Sequence, residues 1–250
     1  MPITCSQQPI IFSGYTDSVF FSKREKTMGV ALRLTFLVFA LILAVASLVL
    51  VPAALCGIMQ TWQVYAACLF YFLFFLSTIA RVRKYGDFSP RSQDAQVQSK
   101  WGKVAYPIQF LGLGGAHWLA VYDFSQHLRT VSVWSVLGVL VMLVALVVNR
   151  LAARELGRFW DQLLIKDEHY LVTTGIYRIV RHPIYTSYIL LFCGNMVLFE
   201  SLWAMLLLIV VCTIWFGTRI RIEESLLLRK FGNEYAEYMR QTKRLFPYLF

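Results

Sequence analysis

Long stretches without a single charged residue constrain this chain more than any other feature. Residues 34–56, 62–80 and 131–148 each run for at least 18 residues without an acidic or basic side chain. A helix needs about 20 such residues to cross the hydrocarbon core of a bilayer, because each residue advances it by about 1.5 Å. Only 15% of all residues are charged, whereas an average soluble domain has about 25%. The chain is therefore predicted to be an integral membrane protein.

Three weaker apolar segments complete a predicted set of six membrane helices. Residues 104–121 are interrupted by a proline, three glycines and a histidine. Residues 184–199 and 202–217 are separated by only two residues, and each forms about 24 Å of helix. This last pair is predicted to be a short hairpin, either two thin spans or a hairpin that stops before the far side. The predicted fold class is thus an all-α integral membrane protein, with a cytosolic C-terminal helix after the sixth span.

Basic residues are confined to one side of these six helices. The net charge is +10, and 23 of the 24 Lys and Arg residues fall in segments that six spans would place on one face, with Arg129 as the exception. Basic loops stay in the cytosol, so both termini are predicted to be cytosolic. The expected compartment is the inner membrane of a bacterium or the endoplasmic reticulum of a eukaryote. Contact with anionic lipids accounts for the charge without a nucleic-acid partner.

The density of polar residues divides the chain into three regions. Residues 1–28 are a polar tail, residues 29–149 form a four-helix membrane region, and residues 150–250 bring polar side chains close to apolar helices. The five cysteines show neither a CxxC pair nor a spacing with histidine that is typical of metal sites. No Ser/His/Asp arrangement or phosphate-binding glycine loop is present, so hydrolysis and metal chemistry have no support. Function is expected in residues 150–250.

The motif Arg181-His182-Pro183-Ile184-Tyr185 lies where the fifth membrane helix is predicted to begin. Proline is favoured in the first turn of a helix, because the N–H group that it lacks would have no partner there. Arg, His and Tyr are also ordinary anchors at a membrane interface. Taken alone, this motif is explained as the start of a helix.

A second group of polar residues follows the sixth apolar segment. Arg219 and Glu223 are four residues apart, so they share one face of a helix, and Glu224 comes next. A solvated ion pair is the common explanation for such a spacing. Acids this close to an apolar run are costly near lipid, however, and are often functional. A third group consists of Gln162, His169 and Tyr177. None of these three residues indicates a function when it is considered alone.

Together these groups resemble the membrane-embedded isoprenylcysteine carboxyl methyltransferase family, which is related to the phospholipid methyltransferases. The matching segments, within residues 157–247, are His169-x-Leu171-Val172-Thr173-x-Gly175-x-Tyr177, Arg181-His182-Pro183-x-Tyr185, Arg219-x-x-x-Glu223-Glu224-x-x-Leu227, Phe231-Gly232-x-Glu234-Tyr235-x-x-Tyr238 and the closing Pro247. The first four helices match only in being apolar. Family members often have a glycine soon after the second motif, where this chain has Thr186, Ser187 and Tyr188.

The resemblance implies an S-adenosylmethionine-dependent carboxyl O-methyltransferase with a cytosol-facing pocket between the late helices. The implied acceptor is a prenylated cysteine or a similar lipophilic acid, which would enter from the membrane. Arg219 would face the acceptor carboxylate, and Arg219 and Glu223 would form the catalytic pair. No metal is implied. The residues implied to contact the cofactor are Gln162, His169, Tyr170, Leu171, Val172, Tyr177, His182, Pro183, Ile184, Tyr185 and Glu223.

Three other functions remain open from the sequence. A phospholipid N-methyltransferase would share the paired glutamates, although its amine acceptor would favour an acid over Arg219. An NADPH-dependent membrane sterol reductase would carry a motif similar to residues 181–185, but commonly with Asn in the place of Ile184. A membrane scaffold without catalytic activity would bind neither cofactor.

Overall fold

The computed structural model describes residues 32, 34–85, 100–127, 131–157 and 171–247. Within these residues the long elements are helices, and β-pairing is limited to one isolated parallel bridge between Val180 and Lys243. The prediction of an all-α architecture is therefore confirmed for the described part of the chain. The helices are α1 (Leu34–Leu55), α2 (Trp62–Tyr85), α3 (Lys100–Gln126), α4 (Val133–Leu156), α5 (Pro183–Leu198), α6 (Leu202–Phe231) and α7 (Asn233–Gln241), with a short 3₁₀ turn at Gly175–Arg178.

Three of the described helices, α1, α4 and α6, are long and apolar enough to cross a membrane by length and composition. Shorter apolar helical stretches are Trp62–Ser77 in α2 and Pro183–Leu198, which is α5. These helices coincide with apolar segments from which the six spans were predicted. The number of six spans stays a prediction.

Helices α4 and α5 pack closely because each has a glycine where the two meet. A methyl group added at Gly138 would lie 2.4 Å from the backbone nitrogen of Leu198, and one added at Gly194 would lie 2.6 Å from Cγ of Met142. In lipid there is little hydrophobic drive between helices, so small residues that let backbones approach are a main source of packing energy. This pair therefore forms a rigid support for the residues at both ends of α5.

The turn between α5 and α6 lies level with the end of α3 and the start of α4. The Ser201 hydroxyl accepts a hydrogen bond from the N–H of Ala204 at the start of α6 and donates to Asp123 near the end of α3 at 2.5 Å. The Ser135 hydroxyl, in the first turn of α4, lies 3.1 Å from the Leu198 carbonyl. The predicted short hairpin thus reaches the same end of the bundle as the neighbouring helices, and its open end carries the polar residues of α5 and α6.

His117, which interrupts the third apolar segment, is a packed histidine inside the bundle. Its Nδ1 lies 2.7 Å from the Leu113 carbonyl, one turn earlier in α3. Because a carbonyl can only accept, this nitrogen carries the proton, and Nε2 accepts from the Tyr71 hydroxyl of α2 at 2.5 Å. The imidazole is fully buried, and both of its nitrogens are satisfied without a bound ligand.

Gly138→Ala is expected to destabilise the fold by about 1–3 kcal/mol, because overpacking of a closely packed contact has this cost. The matched control is Gly114→Ala in α3, where nothing lies within 4 Å of the added methyl group. Thermal unfolding of both purified variants in detergent micelles measures the effect. Equal midpoints for the two variants would contradict the close approach of α4 and α5.

Candidate active site at the start of α5

The first turn of α5 is shaped by a proline and by a distant segment of the chain. Pro183 occupies the first helical position, as the sequence predicts. The backbone N–H of Arg181 donates to the Lys243 carbonyl at 2.8 Å, and that of His182 donates to the Arg244 carbonyl at 3.0 Å. The chain immediately before α5 is therefore held by hydrogen bonds to residues near its C-terminal end.

We call residues 242–245, which run alongside the start of α5, the C-terminal strap. Besides the two backbone hydrogen bonds, the Thr186 hydroxyl in the first turn of α5 donates to the Leu245 carbonyl at 2.6 Å. The guanidinium of Arg181 donates to the Thr242 carbonyl. The strap thus contacts the segment before α5 and the first turn of α5 itself.

Glu224 of α6 is buried among three basic side chains. Its Oε1 accepts from Nε of Arg181 at 3.0 Å and faces Nε2 of His182 at 3.4 Å, while its Oε2 accepts from Nε and Nη2 of Arg244, each at 3.1 Å. The side chains of Arg181 and Glu224 are 7% and 5% exposed. A carboxylate so far from water is tolerated when its charge is paired and both oxygens are hydrogen-bonded.

Glu223, the preceding residue, lies in a different environment. The Tyr185 hydroxyl donates to its Oε2 at 2.7 Å, and Nδ1 of His182 lies 3.9 Å from the same oxygen. The Glu223 side chain is 29% exposed, and Arg219 interacts with the Tyr185 hydroxyl. This carboxylate thus accepts a hydrogen bond from a neutral phenol and keeps part of its surface accessible, which a ligand-binding acid requires.

Aromatic rings form the side of this cluster that faces the membrane helices. The rings of His182 and Tyr185 stack with their centroids 5.6 Å apart, and Tyr185 lies 5.4 Å from Phe216 of α6. Trp215 stacks on Phe216 in turn, at 4.8 Å. The polar cluster is therefore bounded by an apolar aromatic wall, which suits a ligand that is charged at one end and apolar at the other.

Helix α7 closes over the 3₁₀ turn through a buried tyrosine. The Tyr238 hydroxyl donates to the Tyr177 carbonyl at 2.6 Å. Burial raises the pKa of Tyr238 to about 12, so the phenol keeps its proton and remains a donor at any physiological pH. Burial also raises the pKa of Tyr235, one turn earlier in α7. The hydrogen bond fixes the 3₁₀ turn beneath α7.

The structure brings four of the sequence-predicted site residues into one cluster: His182, Tyr185, Arg219 and Glu223. Pro183 and Ile184 form the first turn of α5 beside it, and Tyr177 is buried beneath α7. Among the described residues, no hydrogen bond or ring contact joins Leu171 or Val172 to this cluster. Gln162, His169 and Tyr170 lie outside the described residues. The cofactor contacts assigned to eleven of these residues, and the acceptor contact assigned to Arg219, stay predictions.

Sequence reasoning did not single out Glu224, Arg181 or Arg244 for separate roles. A signal for Glu224 was available, because successive helical residues point about 100° apart and two adjacent glutamates therefore lie on different sides of the helix. No local pattern marks Arg244, which lies 63 residues after Arg181 and meets it through Glu224. Such a contact depends on how α5, α6 and the strap pack.

Comparison with known proteins finds similarity to phospholipid methyltransferases and to isoprenylcysteine methyltransferases. A family model described as phospholipid methyltransferase matches residues 133–234. A probable protein-S-isoprenylcysteine O-methyltransferase of Oryza sativa subsp. indica is 29% identical over 46% of this chain and 62% of its own length. The protein-S-isoprenylcysteine O-methyltransferase of Tribolium castaneum is 25% identical over 96% of this chain and 84% of its own length. The resemblance to the isoprenylcysteine carboxyl methyltransferases is confirmed. The chain spans 62% of the length of the rice relatives, which is about three fifths.

A solved structure supports the fold. The eukaryotic intramembrane Ras methyltransferase, an isoprenylcysteine carboxyl methyltransferase, aligns with a TM-score of 0.54 at 18% identity and covers 96% of this chain and 90% of its own. With this neighbour and the apolar helices, the predicted fold class, an all-α integral membrane protein that crosses the bilayer several times, is confirmed. The orientation of its termini stays a prediction.

Tyr238→Phe is expected to destabilise the protein by about 1–3 kcal/mol, because the buried Tyr177 carbonyl loses its donor. Tyr235→Phe is a matched control on the same helix, since the Tyr235 hydroxyl is buried without a hydrogen-bond partner among the described residues. Its loss is expected to be neutral or slightly stabilising. Thermal unfolding in micelles measures both variants, and an equal loss of stability in the two would contradict the assigned hydrogen bond.

Proposed function

We propose that this chain is an S-adenosylmethionine-dependent carboxyl O-methyltransferase that acts on a prenylated cysteine or a similar lipophilic acid. The observation that carries the proposal is the cluster of Arg219, Glu223, Tyr185 and His182 at the open end of the α5–α6 hairpin. The names of the relatives point to the same chemistry. The residues of this cluster come from the two helices that the family resemblance covers.

The side chains of the cluster suit S-adenosylmethionine. Glu223 offers a partly exposed carboxylate that accepts hydrogen bonds from an ammonium group or from ribose hydroxyls. Tyr185 presents an aromatic ring that attracts a sulfonium through its face, and His182 stacked beside it fixes the orientation of that ring. When bound, S-adenosylmethionine supplies a methyl group on a sulfonium that is already a good leaving group. The residues outside the described part, Gln162, His169 and Tyr170, complete the proposed contacts.

Arg219 is proposed to hold the acceptor. A guanidinium binds a carboxylate through two parallel hydrogen bonds. Arg219 and Glu223 are one helical turn apart on the same face of α6, with Cβ atoms about 5–6 Å apart, so acceptor and donor would bind side by side. Because the acceptor carboxylate is already ionised, the transfer needs no general base. The protein contributes by aligning the two groups and excluding water.

The apolar wall determines how a lipophilic acceptor reaches Arg219. Phe216 and Trp215 lie one turn before Arg219 on α6, on the side of the bilayer core. An isoprenoid chain entering sideways from the membrane would pack on these rings while its carboxylate reaches the guanidinium. We place the active site and both termini in the cytosol, where the basic residues lie. Residues 150–250 are then the catalytic region, beside the four-helix region of residues 29–149 and the tail of residues 1–28.

Phospholipid N-methylation is the second candidate, because the matching family model carries that description. An amine acceptor would have to bind near Arg219, a residue of the same charge as the acceptor's protonated form. The carboxylate acceptor fits this site better. The two candidates differ in where a labelled methyl group appears.

Incubation of the purified full chain with methyl-labelled S-adenosylmethionine and a farnesylated cysteine acid is expected to give a base-labile methyl ester. Label in phospholipid instead would favour the second candidate. S-adenosylhomocysteine is expected to raise the unfolding temperature, whereas NADPH is not. The proposed function fails if no base-labile ester forms.

Arg219→Lys is expected to raise KM for the acceptor by about tenfold, because loss of one charge-assisted hydrogen bond costs about 1.5 kcal/mol. KM for the donor is expected to change little. Arg221→Lys is the matched control, since Arg221 is exposed and points about 200° away around α6. Initial rates at varied donor and acceptor concentrations separate the two constants. A larger effect on the donor than on the acceptor would contradict the role of Arg219.

A further inference from the structure

We infer that Glu224 positions the cofactor-facing residues of this site by binding the C-terminal strap to the start of α5, and that it does not contact the cofactor itself. The inference deepens the proposed function and rests on it, since it takes His182 and Tyr185 as cofactor contacts. It divides the paired glutamates into one that faces the ligand and one that holds the site together.

The first step is that the two oxygens of Glu224 bind two different segments. Oε1 accepts from Arg181, which precedes α5, at 3.0 Å. Oε2 accepts from Arg244, in the strap, through two nitrogens that both lie at 3.1 Å. One carboxylate on α6 therefore connects the entry of α5 to the strap, although these segments are far apart in sequence.

The second step is that Arg181 extends this connection to the end of α7. Its Nη1 donates to the Met239 carbonyl at 3.0 Å and also to the Thr242 carbonyl. The last carbonyls of a helix lack partners within the helix, and a cation is favourable there. Arg181 thus binds α6 through its Nε and the junction of α7 with the strap through its Nη1.

The third step links the strap to the site. The strap carbonyls accept from the backbone N–H groups of Arg181 and His182, and that of Leu245 accepts from the Thr186 hydroxyl. These bonds flank Tyr185 on the first turn of α5. If Glu224 lost its charge, Arg181 would be left as a poorly compensated buried cation, which is strongly unfavourable. Its movement would release the strap and loosen the turn that carries His182 and Tyr185.

The exposure of the two acids fits this division. The Glu224 side chain is 5% exposed and is surrounded by its own partners, whereas that of Glu223 is 29% exposed. Both oxygens of Glu224 are occupied by Arg181 and Arg244. A ligand meeting this part of α6 therefore reaches Glu223. Glu224 acts on the segment before α5, through the strap and through Nε2 of His182, which lies 3.4 Å from its Oε1.

The test compares Glu224→Gln with Glu223→Gln in the full chain in lipid nanodiscs. Glu224→Gln is expected to speed hydrogen exchange at the amides of Arg181 and His182 by about tenfold or more, since the hydrogen bonds to the strap open more often. It should also raise KM for S-adenosylmethionine and leave KM for the acceptor unchanged. Glu223→Gln is expected to raise KM for the donor without altering exchange at these two amides.

A second pair of variants keeps the test valid if Glu224→Gln does not fold. Thr186→Val removes the hydroxyl that donates to Leu245 and keeps the shape of the side chain, whereas Thr186→Ser retains the hydroxyl. Thr186→Val is expected to raise both the exchange at Arg181 and His182 and KM for the donor, and Thr186→Ser to restore both. This rescue follows the hydrogen bond to the strap rather than general stability.

Unchanged exchange in Glu224→Gln and Thr186→Val would overturn the inference, and so would faster exchange with an unchanged KM for the donor. Calorimetric titration with S-adenosylhomocysteine separates this failure from that of the proposed function. A wild-type chain that binds no S-adenosylhomocysteine would contradict both. Binding by the wild type with unchanged exchange in the variants would overturn only the positioning role of Glu224.

Discussion

The carboxylate of Glu224 connects α6, the entry of α5 and the C-terminal strap, and the geometry of the candidate site depends on that connection. Arg181 binds it away from water, and Arg244 binds it from a position where the Arg244 side chain is 33% exposed. In such surroundings an unpaired charge is far costlier than at a surface, so the arrangement is stable only when all three partners are in place. This shared dependence makes the start of α5 a fixed platform rather than a frayed helix end.

The unequal lengths of the helices set where this platform lies in the bundle. Helix α5 has 16 residues, whereas α6 has 30 and α4 has 24, which correspond to about 24, 45 and 36 Å. Because the three helices meet near the same end of the bundle, α5 stops short at the other end and α6 continues past it. The polar residues of α6 therefore stand beside the first turn of α5, with Phe216 on the side of the apolar part of α6.

Spacing along the chain predicted part of the candidate site. Arg219 and Glu223 were expected on one face of a helix, and the motif at residues 181–185 was expected at the start of a helix. Both expectations are confirmed. The contact between Tyr185 and Glu223, across 38 residues, has no local signature. The burial of Arg181 has no local signature either, because an isolated Arg at this position is an ordinary interface anchor. Both depend on the angle at which α5 and α6 cross.

The sequence by itself determined that the long apolar segments lie in a lipid bilayer and form helices. In lipid, uncharged apolar runs can satisfy their backbone polar groups only as helices. The sequence also determined where α5 begins, since proline restricts the first turn locally. The tertiary structure decided which of two adjacent glutamates is accessible and which is buried, and that the strap supports α5. Those outcomes depend on side chains that are distant in sequence and meet only after the helices have packed, so no periodicity or spacing along the chain encodes them.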